Sequence, residues 1–144
     1  MGLDMYLTKR IYIGGNYDHR KVTGTVKITM DDKEIDIDPK DITEIITYVG
    51  EWRKANAIHA WFVRAVQDGI DNCQEYYVSG DELTVLKTLC EKALKDTDVS
   101  ILPPQSGFFF GSTETGKWYW EDLEYTVKML TDLEPGSYYY RSSW

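Results

Sequence analysis

No stretch of this 144-residue chain approaches the roughly 18 to 20 consecutive apolar residues that a membrane span requires, so no transmembrane helix is expected. The start, Met1-Gly2-Leu3-Asp4-Met5-Tyr6, carries neither a basic leader nor a long apolar core for export, and after Gly2 it lacks the Ser or Thr of a myristoylation motif. A cytoplasmic protein is expected. Cysteine is scarce: Cys73 and Cys90 are too few for a disulfide framework and read as thiols in a reducing compartment. Histidine is equally scarce, and His19 and His59, even with Asp68 and Asp71, lack the close spacing of a zinc motif, so no metal is expected. No phosphate loop or dinucleotide fingerprint is present, and no cofactor is expected. The acidic run Asp31, Asp32, Glu34, Asp36, Asp38 lacks the glycine and terminal Glu of a calcium loop and reads as a solvated turn. Positive charge is also in deficit, 16 Lys and Arg against 24 Asp and Glu, a formal net charge of -8. That argues against a grip on long nucleic acid by phosphate neutralisation. A small anionic ligand stays open, because one Arg and one Lys make a pocket locally positive on an acidic protein.

What is present suits one compact domain, residues 1 to 144, since a chain of this length with 42% hydrophobic residues builds a single core. Leu3, Met5 and Leu7 alternate with Asp4 and Tyr6, and Val22, Val26, Ile28 and Met30 alternate with Thr23, Thr25, Lys27 and Thr29. Strands are therefore predicted over 2 to 13 and 22 to 30, joined by a turn at Gly14-Gly15-Asn16. Asp38-Pro39 reads as a helix start, and Ile42, Ile45, Val49, Trp52, Asn56, His59, Val63 and Val66 recur at spacings of three and four. A helix is predicted to Val66, with Gly50 as a point where it breaks in two. Tyr76-Tyr77-Val78 reads as a short strand, and Ser79-Gly80-Asp81-Glu82 as a capping box opening a helix with Leu83, Leu86, Cys90 and Ala93 on its core face. Gly107-Phe108-Phe109-Phe110-Gly111 reads as a buried strand. A last helix carries Leu123, Val127, Leu130 and Leu133, Pro135-Gly136 stops it, and Tyr138-Tyr139-Tyr140 closes the chain as a strand. This order predicts an α+β fold with helices packed on a mainly antiparallel sheet.

Asn56 and His59 interrupt the central apolar stripe. A buried amide and a buried imidazole are costly without partners, so they either pin neighbouring loops or line a cavity that holds a ligand. Trp61 falls on the opposite side of the predicted helix, outside the stripe, as ligand-stacking or interface rings do. Of the 20 Phe, Trp and Tyr residues, 11 lie between Phe108 and Trp144, more than one small core consumes. That surplus predicts an ordered terminus and a homo-oligomer, for which a two-fold dimer is the commonest form. Arg53, Lys54 and Arg141 supply donors for phosphate, Trp61, Phe109 and Trp144 supply stacking rings, and Asn56, His59, Gln105 and Ser106 supply polar readers of a base edge. These residues are the parts of a pocket for a small nucleotide-like ligand. A Cys/His hydrolase built from Cys73 and His59, with Asp68 or Asp71 orienting the imidazole, is the catalytic alternative, although the surroundings of Cys73 match no nucleophile turn. No catalytic residue is assigned.

Four strings span nearly the whole chain: Met1-Gly2-Leu3-Asp4-Met5-Tyr6-Leu7; Trp52-Arg53-Lys54-Ala55-Asn56-Ala57-Ile58-His59 with Trp61-Phe62-Val63; Gln105-Ser106-Gly107-Phe108-Phe109-Phe110-Gly111-Ser112-Thr113-Glu114; and Tyr139-Tyr140 with Ser142-Ser143-Trp144. Together they resemble a family of small proteins encoded by tailed phages, prophages and their bacterial hosts. The resemblance implies a setting, the cytosol of a phage-infected bacterium. By type, a small phage protein with a polar and aromatic pocket is similar to counter-defence proteins that sequester nucleotide immune signals. The expected function is therefore non-catalytic binding of such a signal. The alternatives are an enzyme that cleaves the signal and an acidic protein that inhibits a host protein by surface contact.

Overall fold

A computed structural model describes residues 2–14, 17–21 and 24–144. Two compact units are distinguished, Met1–Lys9 with Tyr48–Trp144, and Arg10–Thr47. The fold is α+β, with three α-helices and a mainly antiparallel four-stranded sheet among the described residues. The sheet contains β1 (Asp4–Tyr12), β4 (Glu44–Arg53), β5 (Tyr76–Val78) and β6 (Ser137–Ser143) in the order β4-β1-β6-β5. The helices are α1 (Asn56–Ala65), α2 (Gly80–Asp96) and α3 (Lys117–Leu130). No helix among the described residues is long and apolar enough to cross a membrane.

In the larger unit, period-two patterning does what the strand geometry requires. Leu3, Met5 and Leu7 are all buried, while Asp4 and Tyr6 between them are partly exposed. β6 pairs antiparallel with β5, Tyr76 opposite Tyr140 and Val78 opposite Tyr138. Tyr140 then stacks face to face on Phe62 of α1, with centroids 3.8 Å apart. α2 starts with the predicted capping box: Ser79 Oγ accepts from the Glu82 N–H, and the Ser79 N–H donates to Glu82 Oε2 at 2.8 Å. Its Leu83, Leu86, Cys90 and Ala93 are core residues as expected, and burial pushes the Cys90 thiol up to about 12. α3 is fastened to β4 at several points, among them the Glu51 N–H, which donates to the Tyr125 hydroxyl at 3.2 Å. The Trp52 indole donates to Thr126 Oγ1 at 2.9 Å, and Gly50 leaves the room that Met129 fills, since a Cβ there would sit 1.7 Å from its sulfur.

In the smaller unit, β2 (Ile28–Met30) and β3 (Lys33–Ile35) form a hairpin. Its turn residues Asp31 and Asp32 both have positive φ and are exposed, in keeping with a solvated acidic turn. The predicted strand from 22 to 30 is thus shorter, with Val22 and Thr23 outside the described residues, as are Gly15 and Asn16 of the predicted turn.

Two sequence expectations are corrected. The helix predicted from Asp38 to Val66 is one 3-10 turn (Pro39–Asp41), then strand β4, and only then α1. Asp38 does cap the turn, accepting from the Lys40 N–H at 3.0 Å. Ile45-Ile46-Thr47-Tyr48-Val49 is nevertheless a run of β-branched and aromatic residues whose strand preference overrides the coincidence of three-and-four spacing. Ile45, Ile46 and Tyr48 are exposed, so no helical core face exists there. The predicted strand 107 to 111 is a turn, in which the Phe110 N–H donates to the Gly107 carbonyl at 3.1 Å and Phe108 stands 94% exposed.

Candidate functional site

The last residue of β4 is Arg53, and Lys54 then reverses the chain in the left-handed region at φ 58°, held by its N–H donating to the Leu3 carbonyl at 2.7 Å. Gly111, itself at φ +82° where a side chain is strained, lies against the aliphatic stem of Lys54, to which an added Cβ would approach within 3.1 Å. The turn delivers α1 with Ala55 as its N-cap, and α3 begins after Gly116, so neither helix start is capped by a side chain. Of the first-turn N–H groups, that of Asn56 donates to the Lys54 carbonyl at 2.8 Å and that of Tyr119 to the Gly116 carbonyl at 3.1 Å, while those of Ala57, Ile58, Lys117 and Trp118 meet no side-chain cap among the described residues at the ends of two positive dipoles.

Between these starts lies a cavity of about 330 Å³. Arg53, Lys54, Asn56 and Ile58 line one side, Ser112, Glu114 and Gly116 of the preceding loop a second, and Trp118, Tyr119 and Asp122 of α3 a third. Ala57, Pro104 and Leu123 complete an apolar wall. Tyr119 is buried and donates its hydroxyl to the Leu102 carbonyl at 2.8 Å, which fixes the ring; burial, and secondarily Cys90 and Asp98, push its phenol up to about 12. Trp118 is the reverse, a ring 79% exposed at the cavity mouth. Arg53 is only loosely engaged, 3.7 Å from the Asp4 carboxylate and mostly in solvent. The Asp122 carboxyl has no hydrogen-bond or ion-pair partner among the described residues. Burial, and secondarily the neighbouring Glu121, push it up to about 6.

Asn56 stands at the edge of this cavity, yet its amide is occupied. Both amide hydrogens reach carbonyls of the 105 to 112 loop, Phe110 at 3.1 Å and Ser112 at 2.9 Å, while Oδ1 accepts from the Gln105 N–H at 3.0 Å. The residue is a clip that holds the loop against the start of α1. His59, one turn on, is buried in a chain of four side chains. The Tyr140 hydroxyl lies 2.7 Å from His59 Nδ1 in a hydrogen bond, and burial raises its phenol well above its ordinary range. The opposite ring nitrogen, Nε2–H, donates to Asp71 Oδ2 at 2.9 Å, and Asp71 Oδ1 accepts from the Trp144 indole at 3.0 Å. Both imidazole nitrogens are engaged, which leaves none to deprotonate Cys73.

Of the ten residues picked out as ligand-binding candidates, the cavity brings together Arg53, Lys54 and Asn56. His59 sits in the network just described. Trp61, expected outside the core, is a core residue at 6% exposure packed edge-on to Phe62, because α1 is enclosed over most of its circumference. Gln105 meets Asn56 through its backbone, and Ser106 beside it is exposed. Phe109 makes an edge contact with Phe108 and its carbonyl accepts from the Leu3 N–H at 3.0 Å. Arg141 lies over the Tyr6 ring at 5.6 Å, and Trp144 contacts Phe110 edge-on. Trp118, Glu114 and Asp122 were not picked out. The signal that marks two of them is the spacing of Trp118 and Asp122, four residues apart and so on one face at the start of a helix.

No group of three His, Cys, Asp or Glu side chains among the described residues is placed to hold a metal. Comparison with protein-family models, curated proteins and solved structures finds no match.

Proposed function

We propose that the protein binds a small nucleotide-like ligand in the cavity between the starts of α1 and α3, and holds it without converting it. The observation that carries this reading is the makeup of one enclosure: an exposed indole, two cations and two uncapped helix starts around a 330 Å³ space. That volume falls within the range of small-molecule sites. Each part has a matching ligand group. The Trp118 ring offers a stacking face for a base. Arg53, Lys54 and the first-turn N–H groups of Ala57, Ile58 and Trp118, at the positive ends of both helices, favour a phosphate. Sequestration of a nucleotide immune signal in an infected bacterial cytosol is the physiological form of the proposal, and the aromatic-rich terminus belongs with a homo-oligomeric form of the same protein.

Native mass spectrometry of the purified protein with a panel of nucleotides tests the reading, with thermal shift as the second measurement. A binder adds its mass, raises the melting temperature as the logarithm of its concentration, and is released unchanged on heating. Trp118→Ala should weaken it by roughly 5- to 100-fold, the range for loss of one base-aromatic stack. A cleaved product in the released fraction would replace the reading with the enzymatic one. Absence of any mass gain or thermal shift would leave contact with a host protein as the function.

A further inference from the structure

The Asp122 carboxyl is the least explained group in the molecule. It lies in the wall of the cavity, receives no hydrogen bond, faces no compensating cation among the described residues, and is one helical turn beyond Trp118 on the same face of α3. A carboxylate taken even partly from water without partners is costly, and native structures retain such groups where something else satisfies them. Its two oxygens accept two parallel N–H donors side by side, the geometry that makes a carboxylate and a planar two-donor edge a matched pair. Trp118 places a flat surface beside it. A ring stacked on that indole lies in the cavity that the carboxylate also lines.

We infer that Asp122 selects a ligand whose planar ring offers two adjacent N–H donors, the guanine edge formed by N1–H and the exocyclic amine. This rests on the nucleotide-binding reading and adds to it the identity of the base. Adenine presents a donor beside an acceptor on its corresponding edge and would set a lone pair against the carboxylate. A guanidinium shares the two-donor edge, but it lacks the phosphate that Arg53, Lys54 and the two helix starts would hold. The Asp122 carboxyl is half-buried in the cavity wall, and the Glu114 and Tyr119 side chains share the cavity without bonding to it.

The test measures dissociation constants of GMP, AMP and agmatine for the full chain by isothermal titration calorimetry at pH 7.5, repeated on Asp122→Asn and on Trp118→Phe. Hydrogen bonds to a charged group are each worth a factor of about 10 to 100, so GMP should bind at least 10-fold more tightly than AMP. Asp122→Asn should remove that advantage and change AMP affinity by less than about 3-fold, and Trp118→Phe should keep the guanine preference while weakening both nucleotides. Equal binding of GMP and AMP overturns the inference and leaves the nucleotide site standing. Agmatine binding as tightly as GMP overturns the assignment of guanine in favour of a guanidinium. A wild-type chain that binds none of the three overturns both the inference and the site for these ligands. A guanine preference that survives in Asp122→Asn, with the variant's melting curve cooperative, shows that another group reads the base.

Discussion

The inner face of α1 and the first turns of α3 each hold polar groups in an apolar setting, and they treat them in opposite ways. On α1, the Asn56 amide meets three backbone groups and the His59 ring meets Tyr140 and Asp71, so every hydrogen-bonding atom of the ring has a partner in the chain itself. On α3, the Asp122 carboxyl has none among the described residues, and Trp118 is a large ring left in solvent. A fully satisfied polar group in a core is a structural device, while an unsatisfied one is a cost that folding alone does not explain. The two regions adjoin along α1, where Asn56 belongs to both. The comparison therefore assigns opposite signs to mutations in the two regions.

The largest effect is expected at Asn56. Replacement by Ala leaves the Gln105 N–H and the Phe110 and Ser112 carbonyls without their partner, at a net cost of about 1 kcal/mol each and about 3 kcal/mol together. For a chain of this size that is a fall in melting temperature of about 10 °C, read by calorimetry. An unchanged melting temperature would break the comparison, because the loop would then not depend on the clip. His59→Phe comes next, at about 2 kcal/mol, since the ring volume is kept but Tyr140 and Asp71 each lose a buried or half-buried partner. Adding Tyr140→Phe should recover part of that loss, a coupling that a double-mutant cycle measures. Strict additivity would mean that the network holds nothing beyond packing.

Asp122→Asn should move stability the other way. The folded-state carboxyl is raised from the usual carboxylate range to about 6, so the folded chain holds its proton more tightly than the unfolded chain between about pH 4 and 6. Wild-type stability therefore declines as pH rises through that window, and a neutral amide removes the decline. Glu121, Glu114, Arg53, Lys54 and Tyr119 are the other titratable groups around it, and they are unchanged in the variant. At pH 7.5 the variant should be more stable by about 1 kcal/mol, a figure held low because the carboxyl is partly in contact with solvent. The two melting curves should converge near pH 4. A variant less stable than wild type at pH 7.5 would show that Asp122 has a structural partner after all, and the two regions would no longer differ in kind.

How much of this was legible in the sequence depends on whether the signal was local. Ser79 and Glu82 announce their cap because a capping box is complete within four residues, and Leu3, Met5 and Leu7 announce a strand because alternation is read along one segment. The stretch from Ile42 to Trp52 misled because four apolar residues fall at helical spacings of three and four by coincidence over so short a run, and the strand preference of the β-branched run outweighed them. Asn56 and His59 were identifiable as buried polar groups, but their partners lie 49 to 56 and 12 to 81 residues away, so no local pattern could say whether chain or ligand satisfies them. Asp122 carried no signal at all in composition. Its meaning comes from what the fold fails to place beside it.

The smallest effect sharpens the boundary between the two regions. Trp144 was a stacking candidate in the sequence, and the fold ties its indole N–H to Asp71, the carboxylate that also receives His59, at a position 43% exposed. A hydrogen bond so close to solvent contributes about 0.5 to 1 kcal/mol. Trp144→Phe keeps the ring that meets Phe110 and removes only that donor, so the melting temperature should fall by about 2 to 4 °C. Trp144 does not line the cavity, and nucleotide affinity measured alongside should change by less than about 2-fold. If affinity falls by 10-fold while the melting temperature stays put, the terminus reaches the ligand, and the satisfied network on α1 would itself be part of the site.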